Sequence, residues 1–150
     1  MFRILKITIV SITLLFVKSL SFSNDNFFNE ALKFYENEKY DDARFLFERN
    51  IVYNPKDATS YLYLAKIYNH EKNQRKEEHN LETALLIEPD NEEAILMMMK
   101  ISVEKSNYDK VKNLSKIFSK VCKKLCDENK NIEESLKNID PKNESWPKSR

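Results

Sequence analysis

The sequence predicts an all-α fold built of successive helix pairs, and three observations carry that reading. Pro55 and Pro89 stand 34 residues apart, each introducing an apolar block, in "YNPKDATSYLYLAKIY" and "IEPDNEEAILMMMKIS". The 150-residue chain has no glycine, a residue that costs roughly 1 kcal/mol relative to alanine inside a helix. Apolar residues recur at i, i+3 or i+4, and i+7, as in Phe27, Ala31, Phe34 or Tyr61, Leu64, Ala65, Tyr68, which is the stripe of an amphipathic helix.

The first element is a leader. Arg3 and Lys6 precede "ITIVSITLLFV", the run Ile7 to Val17, and "SFS" at 21–23 offers small residues at the spacing a signal peptidase reads. Eleven apolar or hydroxyl residues are too few to cross a hydrocarbon core of ~30 Å, which takes about twenty. Residues 1–23 are therefore expected to be a signal peptide cleaved after Ser23, with export to a periplasm or similar envelope space; the alternative is a retained membrane anchor. Loss of Arg3, Lys6 and Lys18 from 25 basic residues leaves 22 against 24 acidic. So even a balance offers no basic stripe for nucleic acid.

The body follows as three units, 24–57, 58–91 and 92–126. In the first, helices are expected over roughly 26–37 and 41–53, and in the second over 58–71 and 75–87, with "NEKYDD" and "HEKNQRK" as turns. The mixed charges of "KNQRKEEHN" read as a solvated face and turn. The third unit places Ile95, Met98, Met99 and Ser102 on one helix and Tyr108, Val111, Leu114 and Phe118 on the next. Met97, Met98 and Met99 read as core filler rather than soft-metal ligands. Residues 127–150 hold a short capping helix, 131–138, and a polar tail with Pro141 and Pro147. Trp146, in that tail, is either a loose surface aromatic or a partner anchor.

Superposing Phe27–Pro55 on Tyr61–Pro89 aligns Phe27 with Tyr61, Ala31 with Ala65, Phe34 with Tyr68, Phe47 with Leu81 and the two prolines. The pattern resembles the tetratricopeptide repeat (TPR) family, a helix–turn–helix of 34 residues. Phe27, Ala31, Phe34, Tyr40, Ala43, Phe47 and Pro55 fill its signature in the first unit. Tyr61, Leu64, Ala65, Tyr68, Leu81, Ala84 and Pro89 do so in the second, with Glu77 where a small residue is usual. The third unit departs at Met99, Ser102 and Lys123. The resemblance implies a right-handed solenoid, in which units stack because one pair cannot bury both its faces.

It also implies a function. First helices of such units line a concave surface that holds a peptide, and the family's groove positions fall on Phe28, Leu32 and Tyr35, on Leu62, Lys66, Asn69 and His70, and on Leu96, Lys100 and Val103. Phe28, Tyr35 and Leu62 are expected to anchor apolar side chains, and Lys66 and Lys100 to attract an acidic or polar segment. The family's carboxylate-clamp subgroup carries lysine and asparagine where Phe28 and Leu32 stand, so that specialisation is not expected.

Chemistry is sparse. With no glycine there is no glycine-rich phosphate loop, and His70 and His79 stand without a catalytic motif, so no enzyme, cofactor, metal or small-molecule substrate is expected. Cys122 and Cys126, in "VCKKLC", leave three readings open: packed thiols, a disulfide with local fraying, or a thiol-dependent redox or metal-handling site. Cβ atoms at i and i+4 of a helix lie ~5–6 Å apart against about 3.5–4.5 Å for a disulfide, so pairing requires the helix to distort. Asn113 and Asn143 stand in glycosylation sequons, which matter only in a eukaryotic source. The resulting expectation is a non-enzymatic adaptor for a protein or peptide partner; the alternative is an accessory protein acting through Cys122 and Cys126.

Overall fold

The computed structural model describes residues 26–139; the leader, Asn143 and Trp146 lie outside them. Among the described residues there are seven helices and no strands: α1 (Asn26–Glu36), α2 (Tyr40–Tyr53), α3 (Ala58–His70), α4 (Gln74–Ile87), α5 (Glu92–Glu104), α6 (Tyr108–Val121) and α7 (Cys126–Ile139). Each helix packs on the next in the chain, and α7 also reaches α5. The fold is an all-α helical repeat. None of these helices is long and apolar enough to cross a membrane.

The caps explain the boundaries. Asp57, Asn73, Asn91 and Asn107 each accept a hydrogen bond on the side chain from a backbone N–H of the first helical turn, satisfying donors that have no partner inside the helix. At the other end, Glu38, Lys72 and Ser106 take left-handed φ angles of 59°, 59° and 54°. They too are 34 residues apart. Each lets the following N–H reach back five residues, Lys39 to Phe34, Asn73 to Tyr68 and Asn107 to Ser102, at 2.9, 2.8 and 2.8 Å. This is the closure that glycine usually provides; the chain makes it three times without one.

Three apolar clusters form the core, each bridging neighbouring pairs. Phe27, Ala31, Ala43 and Phe47 of the first pair meet Leu64, Ile67 and Tyr68 of α3. Ala65, Leu81 and Ala84 of the second meet Ala94, Met98 and Ile101 of α5. Ile95, Met99, Val111 and Phe118 meet Leu136 of α7. The alanines Ala31, Ala43, Ala65 and Ala84 are fully buried, and nothing larger than a methyl would let backbones come so close. Leu64 and Ile67 in α3, and Met98 and Ile101 in α5, correspond by the repeat to Glu30 and Lys33 in α1, which are exposed. The outer end of the stack is thereby polar, as a terminal unit requires.

Polar groups also hold the pairs together. Buried Asn50 donates to Asp57 Oδ2 at 2.7 Å and to Ser60 Oγ at 2.8 Å, and accepts from Asn54 at 3.1 Å, locking α2 to the start of α3. Arg44 pairs with Glu71, and Glu78 with Lys105 and Lys110, so a second helix of one pair grips the next pair. The hydrogen bond from Lys105 holds the Glu78 carboxyl below its usual range.

Two expectations are corrected, and one open question is settled. "KNQRKEEHN" is not wholly solvated, because Glu77 is buried and accepts from Asn69 Nδ2 at 3.0 Å; burial pushes its carboxyl up, against the lowering by that hydrogen bond. The last helix begins at Cys126 rather than at 131. Its Ile132 and Leu136 occupy, one repeat on, the register of Met98 and Ser102, so α7 stands where the first helix of a further pair would. Of the three readings open for Cys122 and Cys126, the structure holds the disulfide with a break in the helix, Cα–Cα 5.3 Å. The conflict with helical spacing is resolved by ending α6 at Val121 and placing Cys122 in extended backbone, φ −62° and ψ 138°.

Candidate functional site

The first helices α1, α3 and α5 carry the residues expected to line a groove. Helical spacing puts Phe28 and Tyr35 on one stripe of α1, seven residues apart, where both meet aromatic residues of α2 and α3. Phe28 is edge-on to Phe47 at 5.7 Å and to Tyr63 at 6.2 Å between ring centroids. Tyr35 is edge-on to Tyr63 at 4.9 Å and to Tyr40 at 5.6 Å. Tyr40 in turn lies against His70 at 4.3 Å. The separations of Phe28 and Tyr35 from their neighbours fall in the range where edge-to-face pairs are favourable. Burial, then the neighbouring Tyr40 and Tyr63, push the Tyr35 hydroxyl above its ordinary pKa, so it remains a neutral donor.

Beside this wall Lys66 Nζ sits 2.8 Å from Glu93 Oε1 and 4.6 Å from the Tyr63 centroid. Tyr35, Tyr40, Lys66, Asn69, His70, Lys72, Glu93 and Met97 line an open concavity of about 570 Å³. Its lining mixes aromatic and thioether side chains with charges of both signs, a combination that can contact an apolar side chain and orient polar groups beside it.

Of the residues expected from sequence, Tyr35, Lys66, Asn69 and His70 come together there. Phe28 and Leu32 are half-buried farther along α1. Lys100 is exposed on α5, and Val103 packs partly against the third cluster. Leu62 and Leu96 are not open groove residues. Each is only 5% exposed, Leu62 in the second cluster and Leu96 in the third, because neighbouring pairs close over those positions. Lys66 is no free cation, since Glu93 pairs with it, and the Asn69 amide is engaged by Glu77.

Tyr40, Tyr63, Lys72, Glu93 and Met97 also contribute to this region, beyond the groove positions that the family resemblance implies. Met97 differs from Met98 and Met99, which are in the core as expected. Glu93 stands in the first turn of α5, 27 residues beyond Lys66, and nothing local in the sequence marks it or Tyr63. Among the described residues no group of three or more histidines, cysteines or acids could hold a metal.

No family model matches the chain, and no curated protein does. Solved structures do. The chain is similar to the TPR domain of Sgt2 from Aspergillus fumigatus, at 12% identity and a TM-score of 0.67 over 87% of this chain and 89% of that one. It is similar to the type III secretion chaperone SycD of Yersinia enterocolitica in complex with a peptide of the translocator YopD, at 14% identity and 0.67 over 80% and 94%. The first TPR domain of Spaghetti (RPAP3) bound to the HSP90 peptide SRMEEVD is similar at 14% identity and 0.64 over 75% and 92%. At these identities the likeness is one of fold, and that fold is the TPR type.

Proposed function

We propose that this protein is a non-enzymatic interaction adaptor of the TPR type, exported to a periplasm or similar envelope space, which holds a segment of a protein partner in its concave face. The observation that carries the reading is the open concavity beside α1, α3 and α5 where Tyr35, Tyr40 and His70 meet. Folds of this type hold a YopD peptide in SycD and an HSP90 peptide in RPAP3, which supports a peptide partner here. Phe28 and Leu32, at the clamp positions of the subgroup that reads C-terminal acids, favour apolar anchors over a bare carboxylate. Lys100 is exposed and supplies the charge left for long-range attraction. The leader-like start of the chain and the Cys122–Cys126 disulfide support an oxidising compartment. Membrane association follows only if the leader is retained.

Affinity capture from envelope extract with the full chain tests this. Tyr35→Ala with His70→Ala removes the middle of the concavity and is expected to weaken partner capture by at least thirtyfold, the loss of roughly 2 kcal/mol or more at anchor positions. Leu86→Ser, on the exposed outer side of α4, is expected to leave capture intact. Retained binding in the double variant and loss in Leu86→Ser would move the site to the convex face.

A further inference from the structure

We infer that the Cys122–Cys126 disulfide is a conformational latch: oxidised, it folds α7 back over the end of the stack, and reduced, it lets α6 and α7 join into one helix. The bond and a continuous helix exclude each other. Side chains at i and i+4 of a helix hold their Cβ atoms ~5–6 Å apart, beyond the reach of a disulfide at about 3.5–4.5 Å, and the chain accordingly leaves the helix at Cys122 and resumes it at Cys126.

Nothing else in the local sequence demands that break. From Tyr108 to Ile139 there is no proline or glycine, and the linker Lys123–Lys124–Leu125 consists of strong helix formers. What holds the break itself, besides the bond, is Glu92 at the start of α5. Its carboxylate accepts from the N–H groups of Lys123, Lys124 and Leu125 at 2.9, 3.0 and 3.0 Å. Those are donors that a helix passing through 122–125 would satisfy internally, so the straight form loses Glu92 but leaves no donor unpaired.

The face that α7 covers is weakly bound by the standard of the other pairs. Ile132 and Leu136 rest on Ile95, Leu96, Met99, Val111 and Phe118, but the same stripe buries Asn129 and Glu133. Glu133 accepts from Ser115 Oγ at 2.7 Å and from Asn129 Nδ2 at 3.0 Å, and the Asn129 carbonyl oxygen has no partner. A buried acceptor left unpaired works against docking. Opening the latch therefore uncovers an apolar end face on the third pair.

The switch is thiol–disulfide exchange with a dithiol. One thiolate of the reductant attacks a sulfur of the pair to give a mixed disulfide and release one cysteine thiol. Its second thiol then displaces the other cysteine, so the reductant leaves as a disulfide and two S–H groups remain. Both cysteines are partly exposed, which permits attack.

Small-angle scattering and far-ultraviolet circular dichroism on the full chain, before and after dithiothreitol, test the latch, with thiol counting to verify two free thiols. Reduction is expected to lengthen the particle by roughly 20 Å, the span of a fourteen-residue helix swung outward, with helical signal undiminished. The double variant Cys122→Ser with Cys126→Ser should be long without reductant. An unchanged length in fully reduced protein and in the variant would overturn the latch. So would a fall in helical signal equal to melting α7, since that describes fraying.

Discussion

Glu38, Lys72 and Ser106 close the first helix of each pair in a conformation that costs an L-residue roughly 1–2 kcal/mol, and each does so at the same place in the repeat. Glycine there relieves the clash but loses more freedom on folding, leaving a net gain of about 0.5 kcal/mol. Glu38→Gly and Ser106→Gly, both at exposed turns, should each raise the melting temperature by a few degrees; no change or a fall in both would mean the turns carry no strain. At this scale the sequence was legible wherever size repeats with the period. Ala31, Ala65 and the buried aromatic and aliphatic partners Phe47 and Leu81 could be read because each has a counterpart 34 residues away. Leu62 and Leu96 could not be placed by the same means. Their burial depends on how closely the neighbouring pairs approach, which period alone does not give.

Helix bounds were legible to within a residue or two where an apolar stripe and a turn segment mark them, and illegible where the cause lies elsewhere in the chain. Asn73, Asn91 and Asn107 mark starts by ordinary capping, whereas the start of α7 rests on Glu92, more than thirty residues away, and on the disulfide. Its stripe also contains Asn129 and Glu133 among Ile132 and Leu136, so hydropathy alone shows only its later part. The register of the pairs makes a sharp prediction. Ala65 is fully buried at the contact of α3 with α4, while Lys56 is exposed in the turn before α3. Ala65→Glu forces backbones apart and buries a charge, which should cost several kcal/mol, against a few tenths for Lys56→Glu. Chemical denaturation giving equal midpoints for the two variants would contradict the register.

For the whole molecule, stacking turns three weakly similar units into one body whose first helices share a face, and the aromatic wall exists only because Tyr35, Tyr40, Tyr63 and His70 come from three helices. The existence of that face was legible from the period; its chemistry was not, since Lys66 is engaged by Glu93 of the next unit and Asn69 by Glu77 of the second helix of its own. The central claim is that this face, and not the outer one bearing exposed Phe45, Val52 and Leu86, receives the partner. Hydrogen exchange on the full chain with and without its captured partner measures this directly. Slowed exchange at the α1–α2 turn and along α3, with α2 and α4 unchanged near Val52 and Leu86, is the predicted footprint; protection confined to those outer segments would contradict it.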